Sequence, residues 1–349
     1  MRVVHWNLAT EFGGGEVQTL NLIFWLSEQG VEQSLVSRKE YPFAKRVARN
    51  LSCVEILGLG ECWGRLLGSS VQERDGLVLH AHDGRSLHQC ALLGKLFKVP
   101  SLATRRVDKG VPKNLFSAYS YGQLDRLVAV SSRIQNRIEE RLGEGRCLRI
   151  PDSFSGFPSD PARVAEIKDR FAGKRLIGQV GSLYAIKGHR YTIEVARELA
   201  SKRPELHFVL LGDGDERADL EAQAAGLSNL TFAGFVEDVG NWLAAFDLLV
   251  QPSLREGLGS ILLEAQQFGV PVIASDVGGI PDVVLHEQTG LLVPPCDSSA
   301  LLQAILRLLD DDGLRVQLVM GAKDHLRNFT PERVGQAYLE LYRELLSMG

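Results

Sequence analysis

Short apolar runs alternate with longer amphipathic stretches along the whole chain. The run "RVVHWNL" precedes "EVQTLNLIFWLSEQG", and "GLVLHAH" precedes "GRSLHQCALLGKLF". Each pair predicts a buried strand followed by a helix whose apolar residues recur at the helical period. Strands that alternate with helices are typical of parallel sheets with helices on both faces. The pattern therefore predicts an α/β protein built from doubly wound parallel sheets.

One segment rich in Pro, Ser and Asp, "RIPDSFSGFPSDPARV", interrupts the alternation and has the composition of an interdomain linker. A chain of 349 residues is also long enough for two domains. We therefore predict two Rossmann-like domains facing a cleft, the first over residues 1–153 and the second over residues 154–329. Residues 330–349 form a predicted helix, with Thr330 at its N-cap and Pro331 at its first position.

The composition is that of a folded soluble protein, with 45% hydrophobic and 23% charged residues. The five cysteines show no C-x-x-C spacing, which argues against a metal site and against a disulfide framework. No stretch reaches the roughly 20 apolar residues that span a bilayer. The N-terminus is predicted to be a strand and not a signal peptide. Together these features predict a cytoplasmic protein.

Charge is divided unevenly along the chain. Residues 1–150 contain 21 Lys and Arg against 15 Asp and Glu, whereas the remainder contains 18 against 28. One explanation is that the two domains differ in charge without functional consequence. The other is that the basic half faces an anionic partner, such as a membrane surface or a phosphorylated acceptor. No feature predicts a nucleic-acid partner.

Glycine-bearing loops follow several predicted strands. In "ATEFGGGEVQ", Gly13, Gly14 and Gly15 let the backbone approach a ligand at the start of the next helix, although a tight turn with positive φ is the alternative. This loop matches neither the P-loop nor the G-x-G-x-x-G dinucleotide motif. In "GSLYAIKGHRYTIEVA", Lys187 opens a helix, where a cation costs about 0.3–1 kcal/mol unless it shares an anion with the helix. The exposed-lysine alternative stays open.

Two glutamates, Glu256 and Glu264, bracket the stretch "EGLGSILLE". On a continuous helix, eight residues advance about 2.2 turns and about 12 Å, which places both carboxylates on one face. That separation exceeds the roughly 5–10 Å of a glycosidase carboxylate pair. It suits two contacts to hydroxyl groups at either end of a diphosphate. The alternative is a capped core helix with one paired glutamate. Two weaker signals of a ligand site are the Gly212 loop in "LLGDGDERADL" and Phe235 in "FAGFVED". The ring of Phe235 at a strand end could lie against a flat nucleotide base.

The motifs "GGGE", "LLGDG" and "QPSLREGLGSILLEAQQFGVPVIASDVGGIPDVV" resemble those of glycosyltransferase family 4, retaining enzymes of the GT-B fold. The resemblance implies that the C-terminal domain holds a sugar nucleotide and that the last helix crosses back to the first domain. It implies that Glu256 accepts from donor-sugar hydroxyls, Glu264 accepts from the ribose, and Lys187 neutralises the diphosphate. The implied nucleotide-sugar contacts are Gly14, Gly15, Ser182, Lys187, Gly212, Phe235, Glu256, Gly257, Leu258, Gly259 and Glu264, and the implied catalytic residues are Glu256, Lys187, His82 and Arg106.

Three features depart from the family pattern. Ser182 stands where the family often has Arg, "PDSFSG" stands where many members have "NG", and Arg106 replaces a frequent histidine. Arg106 cannot act as a base because it is permanently charged, but it could hold the diphosphate or an anionic acceptor. His82, next to Asp83, is then the candidate for acceptor contact. A strand-end histidine is as often structural.

The resemblance implies a hexosyltransferase-type enzyme. We expect it to work without a metal or other cofactor, since no D-x-D run stands where a metal-bound diphosphate would require it. It would move a sugar, with retention, from a nucleotide-diphosphate sugar to a hydroxyl of a glycan or glycolipid. UDP is the favoured nucleotide, and lipopolysaccharide core or another envelope glycan is the expected acceptor. The expected location is the cytoplasm, peripheral to the inner face of the membrane. Two alternatives stay open: a GT-B epimerase or phosphorylase, and a non-catalytic sugar-nucleotide-binding partner.

Overall fold

The computed structural model describes residues 1–112 and 114–348. The chain divides into two compact units. The first comprises Met1–Ser155 together with Thr330–Gly349, and the second comprises Gly156–Phe329.

The first unit contains a parallel sheet of seven strands. Their bounds are β1 Arg2–Trp6, β2 Glu32–Val36, β3 Glu55–Leu57, β4 Leu77–Ala81, β5 Ser101–Arg105, β6 Arg126–Ala129 and β7 Cys147–Arg149. Their order across the sheet is β3-β2-β1-β4-β5-β6-β7. All five residues of β4 are buried, because parallel sheets are covered on both faces.

Helices cover this sheet between the strands. Their bounds are α1 Gly14–Glu28, α2 Pro42–Asn50, α3 Leu59–Gly68, α4 Val71–Arg74, α5 Gly84–Phe97, α6 Leu115–Gln123 and α7 Ser132–Leu142. Short polar side chains begin several of them. Asp83 caps α5, Asn114 caps α6 and Ser131 caps α7, each by accepting a hydrogen bond from a backbone amide of the first turn.

The second unit repeats this architecture with six parallel strands. Their bounds are β8 Arg175–Val180, β9 Leu206–Leu211, β10 Leu230–Gly234, β11 Leu248–Gln251, β12 Val272–Ser275 and β13 Leu291–Val293, in the order β10-β9-β8-β11-β12-β13. The helices are α8 Pro161–Arg170, α9 His189–Leu199, α10 Arg217–Gln223, α11 Val239–Ala245, α12 Ser260–Gln267, α13 Ile280–Val283, α14 Ser298–Asp310 and α15 Asp312–His325.

The last helix, α16 Pro331–Ser347, belongs to the first unit. Thr330 caps it, and its buried face packs against α1 and β4. Gly335 is needed for the close approach of the two helices, because a Cβ there would lie 2.2 Å from the ring of Trp25. This helix therefore completes the core of the first unit.

Both sheets reverse their strand order once, between β1 and β4 in the first unit and between β8 and β11 in the second. In open α/β sheets, ligands bind outside the carboxyl ends of the strands at such a reversal. The predicted α/β architecture of two doubly wound parallel sheets is confirmed. Among the described residues, no helix is both long and apolar enough to cross a bilayer.

Candidate active site

In the second unit, the loops after β8 and β11 meet at the strand reversal. Gly188 has φ +69°, and a Cβ there would lie 2.0 Å from the carbonyl oxygen of Pro252. Next to it, the amide of Leu254 donates to the carbonyl of Ile186 at 2.8 Å. This backbone contact brings together the two charged residues that the sequence analysis singled out. Lys187 Nζ and Glu256 Oε2 are 2.7 Å apart.

A buried polar chain holds the carboxylate of Glu256. Gln251 Nε2 donates to Ser253 Oγ at 2.9 Å, and Ser253 Oγ donates to Glu256 Oε2 at 3.2 Å. Gln251 and Ser253 are completely buried, whereas the side chains of Lys187 and Glu256 retain 22% and 13% exposure. In the part of the chain that the structure describes, both donors meet Oε2 and none reaches Oε1. One oxygen is therefore fixed by the protein, and the other can accept from a ligand.

Lys187 stands immediately before the start of α9, and Gly188 is the N-cap of that helix. Among the described residues, no side chain caps this helix start. The backbone of Lys187 is held by Gln179, whose Nε2 donates to the Lys187 carbonyl at 2.9 Å. Burial, together with the cation of Lys187, lowers the pKa of His189 to about 4, so His189 is neutral at neutral pH. Lysine and helix amides together form a place for an anion.

The predicted helical relation between the two glutamates is wrong. The helix α12 begins at Ser260, and Gly259 before it has φ +91°. A left-handed residue cannot continue a right-handed helix. Glu256 therefore lies in the preceding loop, and Glu264 is the fifth residue of α12 and is buried. The 12 Å separation assumed a continuous helix, so the argument from it against a hydrolytic pair no longer holds.

Three residues that support Glu256 were not predicted from the sequence: Gln251, Ser253 and Gly278. Gly278 has φ +58°, and a Cβ there would lie 1.9 Å from the carbonyl oxygen of Glu256. The neighbouring Gly279 amide donates to the same oxygen at 3.3 Å. "QPS" and "VGG" are visible in the sequence, but their roles depend on contacts between loops that the strand order brings together.

The remaining predicted residues of the second unit lie at the carboxyl edge of the sheet. Ser182 is exposed after β8. Gly212 follows β9 with φ +135°, and a Cβ there would lie 2.0 Å from the carbonyl of Gly181. Phe235 follows β10 and is 72% exposed. Gly257, Leu258 and Gly259 form the loop between Glu256 and α12. Their predicted contacts with a nucleotide sugar stay predictions.

In the first unit, the strand reversal is filled by a buried histidine chain. His5 on β1 is the register partner of His80 on β4, and His82 follows β4. The amide of Gln33 is oriented by its Nε2, which donates to the Ile23 carbonyl, so its Oε1 accepts from His5 Nε2 at 2.9 Å. Neutral His5 must then accept at Nδ1 from His82 Nε2, again at 2.9 Å. The Nδ1 atom of His82 is left to face Arg106 Nη1 at 3.5 Å.

Burial keeps these imidazoles neutral. It lowers the pKa of His5 to about 4, against the hydrogen bond with Gln33, and lowers those of His80 and His82 well below the usual value. Nitrogens of the three rings lie within 4.8 Å of one another, which is close enough to hold a metal ion. Each ring nitrogen already has a hydrogen-bond partner, and cationic Arg106 adjoins them. The arrangement therefore fits a neutral hydrogen-bonded core better than a cation site.

Arg106 forms a buried ion pair. Its Nε donates to Asp152 Oδ1 at 2.9 Å, and each side chain is 10% exposed. Burial raises the pKa of Asp152, although Arg106 acts in the opposite direction. His82 and Arg106 were predicted to contact substrate. The structure places both in contacts within the first unit.

The glycine loop before α1 is not the positive-φ turn that was the alternative to a ligand contact. Gly13 is extended, with φ −130°, and α1 begins at Gly14. Glu16 accepts from the Gly13 amide at 3.0 Å and from Asn7 at 3.3 Å. A carboxylate of the protein thus stands at the positive end of α1, near Gly14 and Gly15.

Comparisons with known proteins bear on both units. Residues 174–311, which contain Lys187 and Glu256, match the family model described as "Glycosyl transferases group 1". The structure of Anabaena Alr3699/HepE in complex with UDP aligns with a TM-score of 0.85 at 19% identity, covering 99% of this chain and 100% of that chain. The chain has the GT-B fold. WaaG, a glycosyltransferase involved in lipopolysaccharide biosynthesis, aligns with a TM-score of 0.70 at 18% identity, covering 96% and 99%.

Curated relatives match parts or all of this GT-B chain. Alpha-D-kanosaminyltransferase of Streptomyces kanamyceticus is 33% identical over 192 residues, covering 53% of this chain and 50% of that protein. The chain thus spans about half the length of the curated relatives it matches at that level. The lipopolysaccharide core biosynthesis glycosyltransferase LpsE of Rhizobium meliloti is 27% identical over 355 residues, covering 98% of both.

Proposed function

We propose that the chain is a glycosyltransferase that moves a sugar from a nucleoside diphosphate sugar to a hydroxyl acceptor. The observation that carries the proposal is the Lys187–Glu256 pair at the strand reversal of the second unit, beside the uncapped start of α9. Support comes from relatives named glycosyltransferases and from structural neighbours in complex with UDP and with UDP-glucose.

The proposed chemistry uses the two charges separately. The diphosphate takes the place of the carboxylate as the partner of Lys187 and also meets the amides of α9. Glu256 then accepts from a sugar hydroxyl through Oε1, while Ser253 keeps Oε2 in place. When the bond from the sugar to the diphosphate breaks, the negative charge on the leaving oxygen grows next to Lys187. Donors that face a developing charge in a fixed geometry stabilise the transition state.

The proposal also names the nucleotide, its further contacts at this site and the acceptor. UDP is the proposed nucleotide, with Ser182, Gly212, Phe235 and Glu264 as further contacts in the second unit. An acceptor related to lipopolysaccharide core is supported by the match to LpsE over 98% of its length. Transfer to a hydroxyl of such a glycan or glycolipid, with the anomeric configuration retained, is proposed from the resemblance to glycosyltransferase family 4. We now assign Arg106 and His82 to supporting the first unit, because their polar atoms already serve internal contacts.

Thermal unfolding with UDP-, GDP- and ADP-sugars tests the donor site. A ligand at a hundredfold excess over its Kd adds about 2.7 kcal/mol of stability. We expect one nucleotide class to raise Tm of the wild type and to lose most of this effect in Lys187→Met. The matched control is Lys202→Met, because Lys202 is a 63% exposed lysine of the same unit, paired with Glu198. No shift with any class, or equal shifts in Lys187→Met and the wild type, contradicts the proposal.

A further inference from the structure

His189, the first residue of α9, carries a buried imidazole without a hydrogen-bond partner. The residue is 1% exposed. Among the described residues, neither ring nitrogen of His189 has a partner, and His189 is the one side chain with two such buried atoms. Buried polar groups are almost always hydrogen-bonded, and leaving one unpaired lowers the free energy of unfolding. The contacts of the second unit therefore give no reason for a histidine at this position.

Two buried polar side chains close to His189 in the fold are, by contrast, fully engaged. Gln179 at the end of β8 donates from Nε2 to the Lys187 carbonyl at 2.9 Å and accepts at Oε1 from Thr192 Oγ1 at 2.6 Å. Thr192 lies three residues after His189 on α9, which places both on one face of the helix. The lack of a partner is therefore a property of His189 and not of these two neighbours.

The imidazole of His189 belongs to the end of α9 that attracts an anion. Each Cα–Cβ bond of an α-helix is tilted toward the amino terminus, so the side chain of the first residue is directed toward that end. Burial and the nearby cation of Lys187 lower the pKa of His189 to about 4, so the ring is neutral near pH 7 and has one N–H donor. This N–H, the ammonium of Lys187 and the first amides of α9 are all donors that favour an anion.

We propose that His189 is a further donor-site residue, whose imidazole N–H bonds the diphosphate held by Lys187 and the first amides of α9. Both ring nitrogens are enclosed in the structure, so the side chain turns about its χ angles to reach the diphosphate. The free energy lost by burying an unpaired imidazole is regained in this complex. The inference rests on the proposed function for the identity of the anion, since a nucleoside diphosphate sugar brings the diphosphate to this place.

This role predicts opposite effects of one substitution on stability and on binding. His189→Leu removes the unpaired imidazole, so the second unit should become at least as stable as in the wild type, while the diphosphate loses a donor. Residues that lower stability are retained where function needs them. A histidine with a purely structural role predicts the reverse, a loss of stability with unchanged binding. His189→Gln keeps an N–H donor on a flexible side chain and should restore part of the binding.

Urea unfolding of the second unit, together with calorimetry on inorganic pyrophosphate and on UDP, tests the proposal in the full chain. We expect the urea midpoint of His189→Leu to equal or exceed that of the wild type and its affinity for both ligands to fall about tenfold. The matched control is His207→Leu, because His207 is a buried histidine of the same unit whose Nε2 is paired with Thr231 Oγ1 at 2.9 Å. The control should lower the urea midpoint and leave both affinities unchanged.

Unchanged affinities in His189→Leu overturn the proposal, whatever the urea midpoint. It also falls if the midpoint and the affinities of His189→Leu drop together and His189→Gln restores neither, since the substitution would then act through folding. Pyrophosphate binding that depends on His189, in a chain that transfers no sugar, supports this inference and refutes the proposed function. Sugar transfer by a chain whose ligand affinities ignore His189→Leu does the reverse.

Discussion

Removing the cation of the buried Arg106–Asp152 pair should destabilise the first unit strongly. In Arg106→Met, the carboxylate of Asp152 stays buried but loses its partner. Breaking a buried ion pair from one side typically costs about 3–5 kcal/mol. Protonation of Asp152 limits the charge penalty, because neutralising a carboxyl of ordinary pKa 3.9 at about pH 7 costs about 4 kcal/mol. We therefore expect a loss of about 3–4 kcal/mol near pH 7.

The pH dependence of this loss follows from the same argument. Asp152 without Arg106 has a folded-state pKa above its unfolded value, so the folded state of the variant binds the extra proton. Its stability relative to the wild type should therefore rise as pH falls below 7, by up to about 1.4 kcal/mol per pH unit. A charge-independent cause, such as lost packing of the arginine stem, would leave the difference constant with pH.

Urea unfolding monitored by tryptophan fluorescence measures these differences. A Trp242→Phe background restricts the signal to the first unit, because Trp6, Trp25 and Trp63 all lie there. The matched control is Arg65→Met, since Arg65 pairs with Glu55 at 2.6 Å while both side chains are about half exposed. An exposed pair should contribute less than about 1 kcal/mol. An Arg106→Met loss no larger than that of the control would refute the assignment of Arg106 as a buried structural cation.

Three further predictions concern the same two units. Burial lowers the pKa of His5 to about 4, so on acidification the unfolded chain protonates this histidine at a higher pH than the folded chain does. The free energy of unfolding of the first unit should therefore fall by up to about 3 kcal/mol as the pH falls from 6.5 to 4. A urea midpoint that stays constant over that pH window would contradict this prediction. Ser253→Ala should weaken nucleotide-sugar binding by about 10- to 100-fold, measured by calorimetry, because a hydrogen bond to a charged group contributes about 1.5–3 kcal/mol. The free nucleoside diphosphate should bind unchanged, and Ser253→Thr should restore the sugar nucleotide; equal weakening of both ligands would indicate a merely structural serine. Gly278→Ala should lower the free energy of unfolding of the second unit by more than about 2 kcal/mol, measured by urea unfolding. The control Gly226→Ala, at a glycine with φ +80° and no atom near the added Cβ, should lower it by about 1 kcal/mol. Similar losses in the two variants would refute the close contact of Gly278 with Glu256.

Hydrophobic periodicity predicted both sheets, because buried parallel strands and amphipathic helices leave different spacings in the chain. It did not predict how Glu256 and Glu264 lie relative to each other. The stretch from Glu256 to Glu264 has no proline, and its apolar spacing suits a helix throughout. The boundary is set by the left-handed Gly259, where an added Cβ would lie 3.4 Å from Ile280, the first residue of α13. Local pattern cannot show that contact.

The interaction partners of the candidate site residues could not be predicted from the sequence either. Lys187 and Glu256 are 69 residues apart, and only the adjacency of β8 and β11 makes them an ion pair. Arg106 was noticed as a departure from the family pattern, but its partner Asp152 lies 46 residues away in the predicted linker. The charged residues could therefore be singled out from the sequence, while their ion pairs depend on topology.

The transfer reaction itself tests the central claim most directly. The chain is incubated with the sugar nucleotide that raises Tm most and with a lipopolysaccharide core or related glycan acceptor, and the anomeric configuration of the product is determined by NMR. We predict one nucleoside diphosphate released per new glycosidic bond, with the configuration of the donor retained. Glu256→Gln should slow transfer at least about hundredfold. Inverted product, equal nucleotide release without acceptor, or full activity in Glu256→Gln would contradict the account.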